Sequence, residues 1–210
     1  MTSSPAARGS RRPFEAQDLA LVVVFTALIA VCALLPAIKT GSAVPITLQT
    51  FGVLLTGAVL GARRGFAAVM LYLLLGFIGL PIFSGGAGGP GVFAGPTVGY
   101  LIGFPLAAAL CGFLVERLPR AKAASSVPLV FAAGLFSSAV LIHTLGMTGL
   151  VLRADMSWRA AWATDSVFWV GDVVKNICMA FVATAVHRAF PGLLGTPPRT
   201  TTRERETIEA

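Results

Sequence analysis

Charge is what this sequence has least of. Only 12% of its 210 residues are charged, about half the share found in a soluble domain. From Leu19 to Val115 the charged residues are Lys39, Arg63 and Arg64 alone, and from Ala123 to Leu152 there are none. With 56% hydrophobic residues and a mean hydropathy of +0.82, such runs are too long and too apolar for the core of a water-soluble fold. They match spans of ~20 residues in a hydrocarbon layer ~30 Å thick. A soluble enzyme, a nucleic-acid binder and a disordered chain are thereby excluded. Cysteine is scarce as well. Cys32, Cys111 and Cys178 are odd in number and lack Cys-x-x-Cys or Cys/His ligand spacing, so they read as small apolar side chains rather than a disulfide framework or metal site. No glycine-rich loop runs into Gly-Lys-Ser/Thr, so any ATP-driven work belongs to another subunit.

What is present is a series of apolar runs punctuated by Pro, Gly and charge. Six spans are expected, at about Leu19–Pro36, Leu48–Gly61, Gly65–Leu80, Thr97–Leu118, Val127–Leu152 and Thr164–Ala189. Each must be helical, because an unpaired amide in lipid costs several kcal/mol. The ~10-residue alternation of a membrane β-barrel is absent from the pattern. The fold class is therefore all-α, a polytopic membrane protein. Of the 16 Lys and Arg residues, twelve fall in one alternate set of connections and termini and three in the other, with Lys175 inside the last span. That asymmetry places both termini in the cytoplasm. It also accounts for the net charge of +7. The organisation expected is a cytoplasmic leader at 1–18, a membrane domain at 19–190 and a disordered, charged, Thr/Pro-rich tail at 191–210.

Ionisable groups within a span are expensive and mark function. Asp172 and Lys175 stand three residues apart in the last span, hence on one helix face. The connection Pro81–Pro96 holds six glycines and three prolines without a charge. It suits a re-entrant loop closing over a cavity, where backbone must approach closely. Its Gly86-Ala-Gly-Gly-Pro-Gly91 run formally fits a dinucleotide fingerprint, but no strand precedes it and Pro90 interrupts it. At the start of the second span, Thr47 is a candidate cap and Gln49 supplies both donor and acceptor atoms. Tyr100 offers an aromatic body with a polar tip. Ser137, Ser138 and His143 lack the third, orienting group that a nucleophile and base require, and His143 reads as an interhelical hydrogen-bonding residue. Trp158, Trp162 and Trp169 fall near the outer end of the last span, and most of them fit an aromatic belt. No catalytic residue, metal ligand or cofactor is expected. A membrane-embedded enzyme lacks workable nucleophile or metal spacing, and a channel would repeat polar residues along several helices.

Taken together, these stretches resemble the BioY family, the biotin-specific substrate-capture (S) subunits of energy-coupling-factor (ECF) vitamin transporters. The resemblance lies in Val44-Pro-Ile-Thr-Leu-Gln-Thr-Phe-Gly-Val-Leu-Leu-Thr-Gly57, Leu60-Gly-Ala-Arg-Arg-Gly65, the Leu71–Gly86 run, Gly95-Pro-Thr-Val-Gly-Tyr-Leu-Ile-Gly-Phe104 and Gly171-Asp-Val-Val-Lys175. Val98 departs from it, standing where the family usually has Gly. The resemblance implies a six-helix protein of the cell membrane that binds biotin from outside. It would dock on a transmembrane coupling subunit with two ATPases, and self-association stays open. For such a ligand, Asp172 would accept ureido N–H bonds and Lys175 would donate to the ureido oxygen, or take the carboxylate instead. Phe83, Ser84, Gly85, Gly86 and Phe93 would close over the rings beside Thr47, Gln49 and Tyr100, with the Lys39–Pro45 loop as a lid. The carboxylate candidates are Thr97–Gly99, Lys39 and Arg153. Docking to the coupling subunit is expected near Thr26, Ala27 and Ala30 on the first helix. A capture subunit for another vitamin, such as thiamine or riboflavin, is the alternative within the class.

Overall fold

In a computed structural model, residues 14–38, 44–123 and 125–194 are described, and among these the regular secondary structure is helical. The expectations for the leader before residue 14, for Lys39 and most of its loop, and for the tail beyond residue 194 fall outside the described residues. The long helices among the described residues are α1 (Ala16–Leu34), α2 (Gln49–Leu60), α3 (Ala62–Phe77), α4 (Val98–Arg117), α5 (Val127–Arg153) and α6 (Trp158–Ala189), with a single turn at Arg120–Ala123 between α4 and α5. Among the described residues α1, α4, α5 and α6 are long and apolar enough to cross a membrane. The shorter α2 and α3, of 12 and 16 residues, extend about 18 and 24 Å at 1.5 Å per residue.

Local chemistry sets the ends. Asp18 accepts a hydrogen bond from the Glu15 N–H at 3.1 Å, which starts α1 before the expected Leu19. Gly61 turns the chain from α2 straight into α3 at φ 82°, a conformation that side chains other than hydrogen disfavour. The Glu116 carboxylate covers that turn, accepting from Ala62 N–H at 3.0 Å. The last helix begins at Trp158, six residues before the expected Thr164, because Ser157 Oγ caps it by accepting from Ala160 N–H at 3.3 Å.

The core lies around α2, where every residue from Gly52 to Leu60 is buried. Lipid supplies no hydrophobic push between helices, so close packing of small residues takes its place. A Cβ on Gly57 would run into the Ala108 backbone of α4, and one on Gly99 of α4 would meet Leu145 and Gly149 of α5. The outer faces keep large apolar side chains exposed, such as Val23 and Val24 on α1, Ile102 on α4 and Val170 and Phe181 on α6. Such a surface suits a bilayer and would aggregate in water. Val98 enters α4 as an ordinary first residue, with Thr97 before it already near helical dihedrals.

Between α3 and α4 the glycine-rich connection forms two short 3-10 turns, Ser84–Gly86 and Pro90–Ala94. Gly89 N–H donates to Gly76 O at 2.7 Å and Phe83 N–H to Ala87 O at 2.9 Å. The buried Phe83 ring lies edge-on to Tyr72 at 5.3 Å and to Phe93 at 5.7 Å. Tyr72 OH donates to Ile82 O at 3.1 Å and accepts from Gln49 Nε2 at 2.9 Å. Tyr72→Phe is expected to loosen this tether by about 0.5–1.5 kcal/mol, the net worth of one hydrogen bond. Hydrogen exchange at Ile82 and Phe83 should rise while the rest of α3 keeps its protection.

Candidate binding site

The last helix supplies the first charged atoms. Lys175 Nζ sits 2.6 Å from Asp172 Oδ1, one turn apart on α6. Thr50, in the first turn of α2, locks the pair: its Oγ1 donates to Asp172 Oδ1 at 3.1 Å and accepts from Lys175 Nζ at 3.1 Å. An ammonium carries three protons. Two are engaged here, which leaves one for a ligand.

A second group of charges lies beside the first. Within α5 the turn Ser138–His143 is a π-turn, a one-residue widening that is frequent at functional sites. It ends on His143, whose side chain is 2% exposed. His143 Nδ1 lies 2.9 and 3.0 Å from the two oxygens of Asp165. A carboxylate only accepts, so the Nδ1 position carries the proton. Asp165 is wholly buried and also accepts from Tyr100 OH at 2.8 Å and Trp169 Nε1 at 3.2 Å. The Trp169 indole stacks on the imidazole at 4.6 Å. On its other side His143 Nε2 stands 3.2 Å from Asp172 Oδ2, yet without the alignment of a hydrogen bond. Asp165, His143, Asp172 and Lys175 thus stand side by side in one polar row between α2, α5 and α6, with the first three buried and Lys175 half-buried.

These groups meet at a cavity of about 210 Å³ with mostly apolar walls. Of the residues expected from sequence, Thr47, Gln49, Phe83, Ser84, Tyr100, Asp172 and Lys175 line it, as does Thr97. Gly85, Gly86 and Phe93 do not line it. The two glycines are exposed at φ 72° and 73°, shaping the turn, and Phe93 backs Phe83 from behind. Arg153 is exposed at the end of α5, away from the cavity. Thr47 Oγ1 accepts from Gln49 N–H at 3.3 Å, fixing the entry to α2. On α1, Thr26 is buried and donates to Val22 O and Ala68 O. It is therefore spent inside the fold, whereas Ala27 is exposed and Ala30 half-buried. Trp158 and Trp162 are exposed, as an aromatic belt requires, while Trp169 turns inward.

Thr50, Asp165 and His143 complete the cluster without having been singled out as site residues. Asp165 had a legible signal, since an acid seven residues before Asp172 lies on the same helix face two turns earlier. A larger and more polar cavity, of about 680 Å³, is lined by Asp18, Arg64, Glu116 and the end of α6. There Arg64 pairs with Asp18 at 3.2 Å and donates to Leu60 O and Leu193 O. The smaller cavity has what a small-molecule site needs, apolar walls with a few convergent polar groups.

A fold that is helical throughout its described regular structure, with a lipid-suited exterior and a charged cluster set against a half-open, mostly apolar cavity, defines a membrane-embedded small-molecule binding protein. The chain belongs to the BioY family, whose family model matches residues 5–192. The biotin transporter BioY of Rhizobium etli is 40% identical over 178 residues, covering 83% of this chain and 95% of that protein. That of Rhodobacter capsulatus is 40% identical over 190 residues, covering 85% and 97%. A crystal structure of the S-component for biotin from an ECF-type ABC transporter superposes with a TM-score of 0.77 at 28% identity, covering 82% of this chain and 91% of its own.

Proposed function

We propose that this chain captures biotin at the outer side of the cell membrane, as the S component of an ECF-type transporter whose energy comes from a coupling subunit and separate ATPases. The observation that carries the reading is the Asp172–Lys175–Thr50 cluster facing an apolar cavity. Biotin combines a ureido ring with two N–H donors and one carbonyl, an apolar bicycle and chain, and a carboxylate. Asp172 accepts the ureido N–H bonds and the third proton of Lys175 serves the ureido oxygen, both charge-assisted. Phe83, Phe104 and Phe168 supply the apolar walls, and the carboxylate lies toward Thr97 at the start of α4. The six-span arrangement with both termini inside follows from the charge asymmetry of the connections. Ala27, next to Val23 on the exposed side of α1, is the docking position left for the coupling subunit. The role is binding and transport, with no chemical step.

Calorimetric titration of biotin into the detergent-solubilised chain tests the reading. Saturable, tight binding at one site per chain supports it. Lys175→Met is expected to weaken binding by about tenfold or more, the worth of a charged hydrogen bond. Absence of heat with biotin, together with binding of thiamine or riboflavin, would assign the chain to another vitamin.

A further inference from the structure

One buried group of the cavity has no part in the proposed contacts of Asp172 and Lys175 with biotin. His143 lines the cavity, is 2% exposed, and its Nε2 makes no hydrogen bond. A buried polar atom of this kind is normally satisfied. Its ring is held at the other nitrogen and on one face. Asp165 takes Nδ1, Trp169 stacks on the face, and Tyr100 fixes Asp165 in turn. A ring held so firmly, with one nitrogen left over, is arranged for a ligand.

We infer that His143 is a third polar arm of the binding site, with Nε2–H donating to the ligand's ring carbonyl beside the N–H that Asp172 Oδ2 accepts. Two observations set the direction. First, Nε2 lies 3.2 Å from Asp172 Oδ2, and so close to a carboxylate a proton on that nitrogen is favoured over a lone pair, while its poor alignment with Oδ2 leaves that proton for a ligand. Second, a donor beside an acceptor is the complement of one edge of a cyclic urea, where C=O and N–H point the same way. A ring that carries an acceptor beside an N–H fits this pair of atoms, and a cationic ring without that acceptor does not. Asp165 acts through His143 and is a positioning residue.

The inference rests on the biotin reading, and a pair of ligands separates the two. Biotin and 2-iminobiotin are titrated at neutral pH, where the imino analogue carries a cationic guanidinium-like ring with no acceptor for Nε2–H. The wild-type chain is expected to prefer biotin strongly. His143→Phe, which keeps the stack on Trp169, is expected to lose about ten- to a hundredfold in biotin affinity, the range for a charged hydrogen bond. Its affinity for 2-iminobiotin should fall far less, so the preference narrows. Asp165→Asn, which keeps an acceptor for Nδ1 without the charge, should shift the same ratio in the same direction by a smaller factor. That variant also gives the result if His143→Phe fails to fold. An equal loss for both ligands, or no loss, overturns the donor role of His143 while leaving the biotin reading intact. Failure of the wild-type chain to bind biotin overturns the reading itself.

Discussion

Asp172→Asn is expected to raise the dissociation constant for biotin by about ten- to a hundredfold or more, with the chain still folded. The carboxylate is the hub of the site: Lys175 and Thr50 meet at Oδ1, and His143 stands next to Oδ2. Each charge-assisted hydrogen bond is worth about 1.5–3 kcal/mol. An amide in its place keeps the shape, loses one acceptor, and leaves the Lys175 ammonium in apolar surroundings without its counter-charge. Removing one partner of a buried pair penalises the survivor as well as the contact. The double variant Asp172→Asn/Lys175→Met should therefore lose less affinity than the sum of the two single changes. Titration calorimetry on the four proteins closes the cycle. Unchanged affinity in both single variants would move the site away from α6.

Gly57→Leu is expected to have the largest effect on stability. A Cβ there meets the Ala108 carbonyl oxygen, and both Ala108 C and Cα lie within 2.8 Å of it. Those are backbone atoms of α4 and cannot rotate away. Gly65 of α3 presses on the same point, since its own Cβ would come within 2.9 Å of Gly57 Cα. Overpacking a well-filled core costs about 1–3 kcal/mol and more where backbones must separate. Here three helices would have to part. The expected result is a large fall in melting temperature, or loss of the monodisperse peak in size-exclusion chromatography of the solubilised protein. Gly91→Ala, at an exposed loop position where a Cβ meets nothing within 4 Å, is the control and should leave the melting curve in place. Equal melting curves for Gly57→Leu and the control would show that α2 and α4 are not packed backbone to backbone.

Much of this molecule was legible in one dimension. Scarcity of charge forced the chain into lipid, and lipid forced it into helices, because no water is present there to satisfy exposed amides. Asp172 and Lys175 announced themselves for the same reason. Their spacing alone put them on one face, and α6 holds them 2.6 Å apart. The glycine-rich connection likewise read as a loop over a cavity, and it delivers Phe83 and Ser84 to the cavity wall.

Asp165 was missed because the last helix was expected to begin at Thr164, where an acid would sit at the boundary and be unremarkable. The Ser157 cap starts the helix earlier, which carries Asp165 two turns inside and makes it a buried carboxylate. His143 read as a residue hydrogen-bonded between helices, and it is one. Its second neighbour, Asp172, lies 29 positions away in sequence and 3.2 Å away in space. The sequence by itself determined the solvent, the helical class and the Asp172–Lys175 pair inside the last span, since each follows from composition or from a single helix period. Only the tertiary structure decided that Thr50 would lock that pair and that His143 and Asp165 would extend it. Those meetings depend on how three helices cross, and crossing is set by where glycines let backbones touch.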